Sequence, residues 1–77
     1  MARHIQELIL NSVGLSIERS IIPDAGTSVV VEYYTGTEWV ADTRSPITTP
    51  NQLVCKGLSV RLTPNMGGFF IDEGVYT

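Results

Sequence analysis

Few side chains in this 77-residue sequence could do chemistry. His4 is the only histidine, and it lies near the N-terminus, far along the chain from the single cysteine, Cys55. One imidazole and one thiol are too few for a zinc site, which needs three or four protein ligands. A histidine in a terminal segment is also poorly placed to act as the general base for a nucleophile. Neither residue therefore indicates a catalytic or metal site.

The remaining candidates are better explained as structural residues. Lys56 follows Cys55 and could activate it, but a lone cysteine in an apolar segment usually behaves as a small buried hydrophobe. The acidic pair at residues 72 and 73 lacks the spaced oxygen ligands of a calcium loop. The glycine pair at 67 and 68 lacks the Lys-Ser or Lys-Thr of a phosphate-binding loop. We therefore predict no catalytic residue, no metal, no cofactor and no enzymatic activity.

Composition limits the kinds of partner. Five Lys and Arg are scattered among eight Asp and Glu, so no basic stripe is available to neutralise a phosphate backbone. No apolar run approaches the roughly 20 residues needed to span a bilayer. The N-terminal residues also lack the pattern of a signal peptide. We expect neither nucleic acid nor a membrane as a partner.

Small size and low charge favour association with protein. A domain of this length buries only about 60% of the surface that its unfolded chain exposes. A single cysteine excludes an internal disulfide. Only 17% of residues are charged, whereas 43% are apolar. Such a chain is expected to gain stability by covering part of its surface with copies of itself or with a larger protein.

Alternating apolar and polar residues predict an all-β fold. Strands are predicted over Val13–Ile21, Val29–Tyr34, Trp39–Asp42, Leu58–Thr63 and Phe69–Ile71. Turn residues separate them at 23–26, 35–38 and 67–68, and the segment 43–52 is predicted to be a connecting loop. This spacing predicts a small antiparallel β-sandwich or barrel of about five strands.

The first twelve residues are ambiguous. Ile5, Leu8 and Ile9 have helical spacing, whereas Ile9 and Leu10 also run on towards the next strand. One interpretation is an N-terminal arm or short helix over residues 1–12, followed by a single β domain over 13–77. The other is a plain first strand.

Aromatic residues are the candidate binding residues. If the loop in VVVEYYTGTEWVAD has two or four residues, Tyr34 pairs with Trp39 and Tyr33 with Val40, whereas an odd loop shifts these pairs. In this register Tyr33 and Val40 lie on the side that resembles a core, and Tyr34 and Trp39 lie on the other. Trp39 could then be a core residue, part of a protein interface, or a platform on which a sugar stacks. The candidate interface or ligand platform comprises Tyr33, Tyr34, Trp39, Phe69 and Phe70. The strand at 69–71 is expected to be an open edge that accepts a strand from a partner.

The hairpin YYTGTEWV, the loop SPITTPNQ and the strand GLSVRLTP, in a short acidic chain with one cysteine, resemble small structural proteins of tailed bacteriophages. The resemblance is one of size and general character, without a shared residue-level motif. It implies a virion protein, made in the host cytoplasm, that acts as a capsid decoration or cement protein or as a tail component. Such proteins form homo-oligomers and sit on a larger capsid or tail protein. The alternative function is a small ligand-binding module for carbohydrate or a host surface.

Overall fold

The computed structural model describes residues 2–11, 14, 18–55 and 57–72. These residues form eight strands and no helix. The strands are β1 Ala2–His4, β2 Leu8–Leu10, β3 Glu18–Pro23, β4 Ser28–Tyr34, β5 Trp39–Ala41, β6 Asn51–Val54, β7 Val60–Asn65 and β8 Phe69–Ile71.

The strands form a sandwich of two antiparallel four-stranded sheets. Sheet A has the order β1-β8-β3-β6, and sheet B has the order β2-β7-β4-β5. Equivalent positions in the two sheets are therefore occupied by strands that are consecutive in the chain. Four segments each cross from one sheet to the other, so the sandwich is a four-stranded sheet folded in two. The predicted small all-β sandwich is confirmed.

The core lies between the two sheets. Alternate side chains of the strands point inwards, as the period of two requires. The fully buried strand residues are Ile21, Leu53, Phe69 and Ile71 from sheet A and Val29, Val31, Val60 and Leu62 from sheet B. Burial of each such side chain contributes roughly 1.5–3 kcal/mol to stability. Cys55 is a free, buried cysteine within the same core, as expected for a small hydrophobe.

Asp24, between β3 and β4, joins that turn to the turn between β7 and β8 and to strand β1. Its backbone N–H donates to the carbonyl of Gly68 at 2.9 Å, and the N–H of Gly68 donates to Asp24 Oδ2 at 3.1 Å. The guanidinium of Arg3, on β1, donates to the same carboxylate oxygen. The N–H of Thr27 donates to the Asp24 carbonyl at 3.0 Å, which closes the local turn. The hydrogen bond from Arg3 lowers the pKa of Asp24 below its ordinary value.

The corner between β7 and β8 has strict steric demands. A Cβ at Gly68 would lie 2.6 Å from the carbonyl oxygen of His4, so the close approach of the two segments requires glycine there. Met66 has a φ of 73°, a left-handed conformation that favours glycine or asparagine. Its side chain is 85% exposed, so packing within the described chain does not explain the choice of methionine.

The structure selects the strand interpretation of the N-terminal residues, and the predicted extent of the loop at 43–52 is wrong. Residues 2–4 and 8–10 form strands and not a helix, because they pair with β8 and β7 in the two sheets. The N-terminal segment is thus built into the sandwich formed by the rest of the chain. Strand β6 begins at Asn51, inside the predicted loop, because Asn51 and Gln52 pair with β3.

Other boundaries shift by a few residues. The first predicted strand appears as β3, and the part of the prediction at 13 and 15–17 lies outside the described residues. Strand β7 begins at Val60 and continues through Pro64 and Asn65. The remaining loop runs alongside β4, where Ile47 and Val29 exchange backbone hydrogen bonds of 2.8 and 2.9 Å. Ile47 is 2% exposed, so this loop supplies part of the core.

Candidate interaction surface

The aromatic hairpin has the predicted register. Strands β4 and β5 are joined by a turn over residues 35–38, in which the N–H of Thr35 donates to the carbonyl of Glu38 at 2.9 Å. Tyr34 is opposite Trp39, and Tyr33 is opposite Val40. Because neighbouring side chains alternate, Tyr34 and Trp39 share the outer side of sheet B.

An aromatic face, defined here by Glu32, Tyr34, Trp39 and Arg61, covers the outer side of sheet B next to β5. The rings of Tyr34 and Trp39 lie 5.0 Å apart between centroids and are tilted by 47°. The guanidinium of Arg61, on β7, reaches across β4 and lies 4.4 Å from the centroid of the Trp39 ring. Its Nη2 lies 2.9 Å from Glu32 Oε1. Trp39 is therefore a half-buried outer-face residue and not a core residue.

The electrostatics of the aromatic face suit a protein partner. Glu32 balances the charge of Arg61, so the face presents aromatic surface without excess charge of either sign. A cation over an exposed indole stabilises the arrangement by about 0.5–1 kcal/mol. Arg61 also covers one side of the Trp39 ring, so a sugar could stack there only by displacing the guanidinium.

Tyr33 lies on the inner side of the hairpin and is only 8% exposed. Its hydroxyl donates to Asp42 Oδ2 at 2.8 Å. Burial, reinforced by this hydrogen bond, raises the pKa of Tyr33. Burial alone would raise the pKa of Asp42 as well, but hydrogen bonds from the backbone of Arg44 and from Tyr33 lower it overall. The hairpin register predicts the core side for Tyr33, and its ring does lie in the core, so Tyr33 does not belong to an exposed platform with Tyr34 and Trp39.

An apolar face, defined here by Ile22 and Phe70, lies on the outer side of sheet A. The two residues are directly opposite each other on β3 and β8, and each side chain is 38% exposed. Val54 is also 38% exposed on this side of the sheet, but it lies opposite Glu18, further along β3. Arg3 flanks Phe70 on β1. Phe69 points the other way and is fully buried, so its expected place in an exposed platform is wrong.

The expected open edge at 69–71 is also wrong, because β8 lies between β1 and β3. The edges among the described strands are β1 and β6 in sheet A and β2 and β5 in sheet B.

Sequence reasoning missed Ile22, Val54 and Arg61 as surface-forming residues. The alternation of inward and outward positions along a strand could have predicted that Ile22 and Val54 face outwards. No local pattern in the sequence predicts that Arg61 reaches across β4 to Trp39.

The described residues contain no group of three or more His, Cys, Asp or Glu side chains arranged to hold a metal ion. The ring of His4 stacks on that of Phe69, with centroids 5.8 Å apart. Within the same part of the chain, no helix is long and apolar enough to cross a membrane.

Comparison with known proteins found no match to this chain among protein-family models, curated proteins or solved structures. Function is therefore argued from the geometry of the two outer faces.

Proposed function

We propose that this protein is a non-enzymatic structural protein that self-associates and docks on a larger protein assembly, in the manner of a phage capsid decoration, cement or tail protein. The observation that supports the proposal is apolar surface on both outer sides of the sandwich. In an antiparallel sheet with one solvated side, outward positions are usually polar. Here Ile22, Phe70 and Val54 occupy such positions on sheet A, and Tyr34 and Trp39 occupy them on sheet B.

The arrangement of the two faces suits a protein held between neighbours. The aromatic face and the apolar face lie on opposite sides of the sandwich, since they belong to different sheets. The molecule measures 32 × 29 × 19 Å, so each broad side has room for an interface of about 800 Å² per partner. Either broad side can therefore be covered by a neighbouring protein molecule.

A carbohydrate-binding module is the second candidate, and the exposed ring of Tyr34 is the feature in its favour. The contact between Arg61 and Trp39 argues against it, because it occupies the ring surface that a sugar would need. We therefore rank a protein interface first.

The proposal is tested by light scattering on the wild type and on Phe70→Ser, Trp39→Ala and Gln52→Ser. The first two variants each weaken one outer face, and Gln52→Ser is a control at an exposed polar position of sheet A. We expect an assembly larger than a monomer for the wild type and the control, and a smaller species for at least one of the other two. Circular dichroism checks that each variant is folded. A wild-type protein that stays monomeric up to about 1 mM, a weak-binding limit, would contradict self-association.

A further inference from the structure

We infer that the open edge of β5 pairs antiparallel with β5 of a second copy, about a two-fold axis at Val40. The inference rests on the proposed function, because it specifies how copies of the chain associate. Strand β5 comprises Trp39, Val40 and Ala41, and no described residue pairs with its outer side.

The hydrogen-bond pattern of the hairpin shows which backbone groups of β5 are free to pair. The N–H of Thr35 donates to the carbonyl of Glu38, and the N–H of Asp42 donates to the carbonyl of Val31. Hydrogen-bonded and non-hydrogen-bonded pairs alternate along an antiparallel ladder. The N–H and C=O groups of Val40 are therefore hydrogen-bonded to Tyr33 on β4. Those of Trp39 and Ala41 point away from β4, towards the open edge.

The side chains of two such edges are complementary in size. With the axis at Val40, each Trp39 is opposite Ala41 of the second copy, and the four outward N–H groups can donate to four outward carbonyls. The small alanine leaves room for the indole, which lies against Tyr34 and Arg61 of its own copy on the outer side of the sheet. On the inner side, the two copies of Val40 meet and extend the core.

The exposure of Val40 distinguishes β5 from the edge strands β2 and β6. Val40 points inwards beside Tyr33, yet it is 45% exposed and lines an open cleft with Tyr33 and Leu58. The inward-facing residues Leu10 on β2 and Leu53 on β6 are 8% and 0% exposed. The core is thus complete beneath β2 and β6 and incomplete beneath β5, which is where a second copy would bury apolar surface.

Pairing of apolar with apolar residues at Val40 favours this register over its neighbours. A shift of two residues would place Val40 opposite Glu38 or Asp42 of the second copy, and a shift of one would misalign the backbone donors. In the proposed register, Glu38 approaches Asp42 of the second copy. Arg44, whose Nε lies 3.3 Å from Asp42 Oδ1, supplies a positive charge at that point.

The first test compares Ala41→Pro with Ala41→Ser by sedimentation equilibrium. Proline at position 41 removes the outward N–H and puts its ring in the place where a second strand would pair. The hydrogen bonds between β5 and β4 are not removed. Serine keeps the N–H and serves as the matched control. We expect the dimer dissociation constant to rise at least tenfold in Ala41→Pro and to change less than about twofold in Ala41→Ser.

The second test is disulfide cross-linking of Val40→Cys. Facing residues at a non-hydrogen-bonded pair have Cα atoms about 4.5 Å apart, within the range of a disulfide. Cys55 is fully buried, so the introduced thiol is the accessible one. We expect covalent dimers of Val40→Cys on mild oxidation and few from Ala41→Cys, which is opposite Trp39.

The results separate this inference from the proposed function. If Phe70→Ser reduces the size of the assembly while Ala41→Pro and Val40→Cys leave it unchanged and uncross-linked, self-association stands and β5 pairing is wrong. If the wild type is monomeric throughout, both fail. Cross-linking of Ala41→Cys in preference to Val40→Cys would overturn the register.

Discussion

At the scale of single residues, the Asp24 carboxylate links parts of the chain that are distant in sequence. It accepts hydrogen bonds from Arg3 on β1 and from the N–H of Gly68 in the turn between β7 and β8. The sequence indicates only that Asp24 lies in a turn, since Pro23 and Gly26 surround it. Its long-range contacts depend on the topology, and no local pattern encodes them.

Asp24 should make stability depend on pH in the acid range. Its pKa is lower in the folded protein than its ordinary value of 3.8, because Arg3 hydrogen-bonds to the charged form. The stabilising contribution is therefore complete above about pH 4 and is lost as the pH falls through the folded-state pKa. We expect Asp24→Asn to lower the melting temperature at pH 7 and the difference from wild type to shrink below pH 4.

Thermal unfolding between pH 2.5 and 7 measures this effect. Glu38→Gln is a suitable control, since Glu38 is an exposed acidic residue in the hairpin turn, away from Arg3 and Gly68. A difference between Asp24→Asn and wild type that stays constant over the whole pH range would contradict the role assigned to Arg3.

At the scale of elements, the strands bounded by clear turn residues were predictable, whereas β1, β2 and β6 were not. Strand β4 alternates over seven residues and is followed by a turn of suitable type, so its pairing with β5 could be derived from VVVEYYTGTEWVAD. Strands β1 and β2 have three residues each, too few to show a period. They are strands because β8 and β7 present partners to them, and tertiary pairing of this kind overrides local spacing.

The same reasoning explains which site residues were correctly placed. The register of the hairpin put Tyr34 and Trp39 on one side, and the structure agrees. Adjacent aromatics at 69 and 70 must face opposite ways in a strand, so only one of them could lie on the surface. Which of the two faces the core depends on the pairing of β8 with β1 and β3, and that information lies in distant parts of the chain.

The β7–β8 corner offers a direct test of local strain. Met66 adopts a φ of 73° with an exposed side chain, so Met66→Gly should relieve the backbone without losing core packing. We expect the free energy of unfolding to rise by up to about 1 kcal/mol, as measured by urea denaturation.

The matched control is Ala25→Gly, at an exposed turn residue that does not have a positive φ. It should lower the free energy of unfolding by about 0.5–1 kcal/mol, because glycine adds disorder to the unfolded chain. Similar losses in both variants would mean that the φ of Met66 carries no strain.

At the scale of the whole molecule, one folded four-stranded sheet accounts for both the stability and the exposed surfaces. Folding the sheet over places one row of alternating side chains inside and leaves the other row on two opposite outer sides. With only 77 residues, the chain leaves Val40, Ile22 and Phe70 partly uncovered. Neighbouring molecules would cover these side chains, which is the physical basis of the proposed structural role.

The most direct test of self-association is the melting temperature of the wild-type protein over a hundredfold range of concentration, with the mass measured by light scattering at each point. Because association stabilises only the folded state, we expect the melting temperature to rise with concentration as the mass increases above that of the 8.4 kDa monomer. A constant melting temperature with a monomeric mass at every concentration would contradict it.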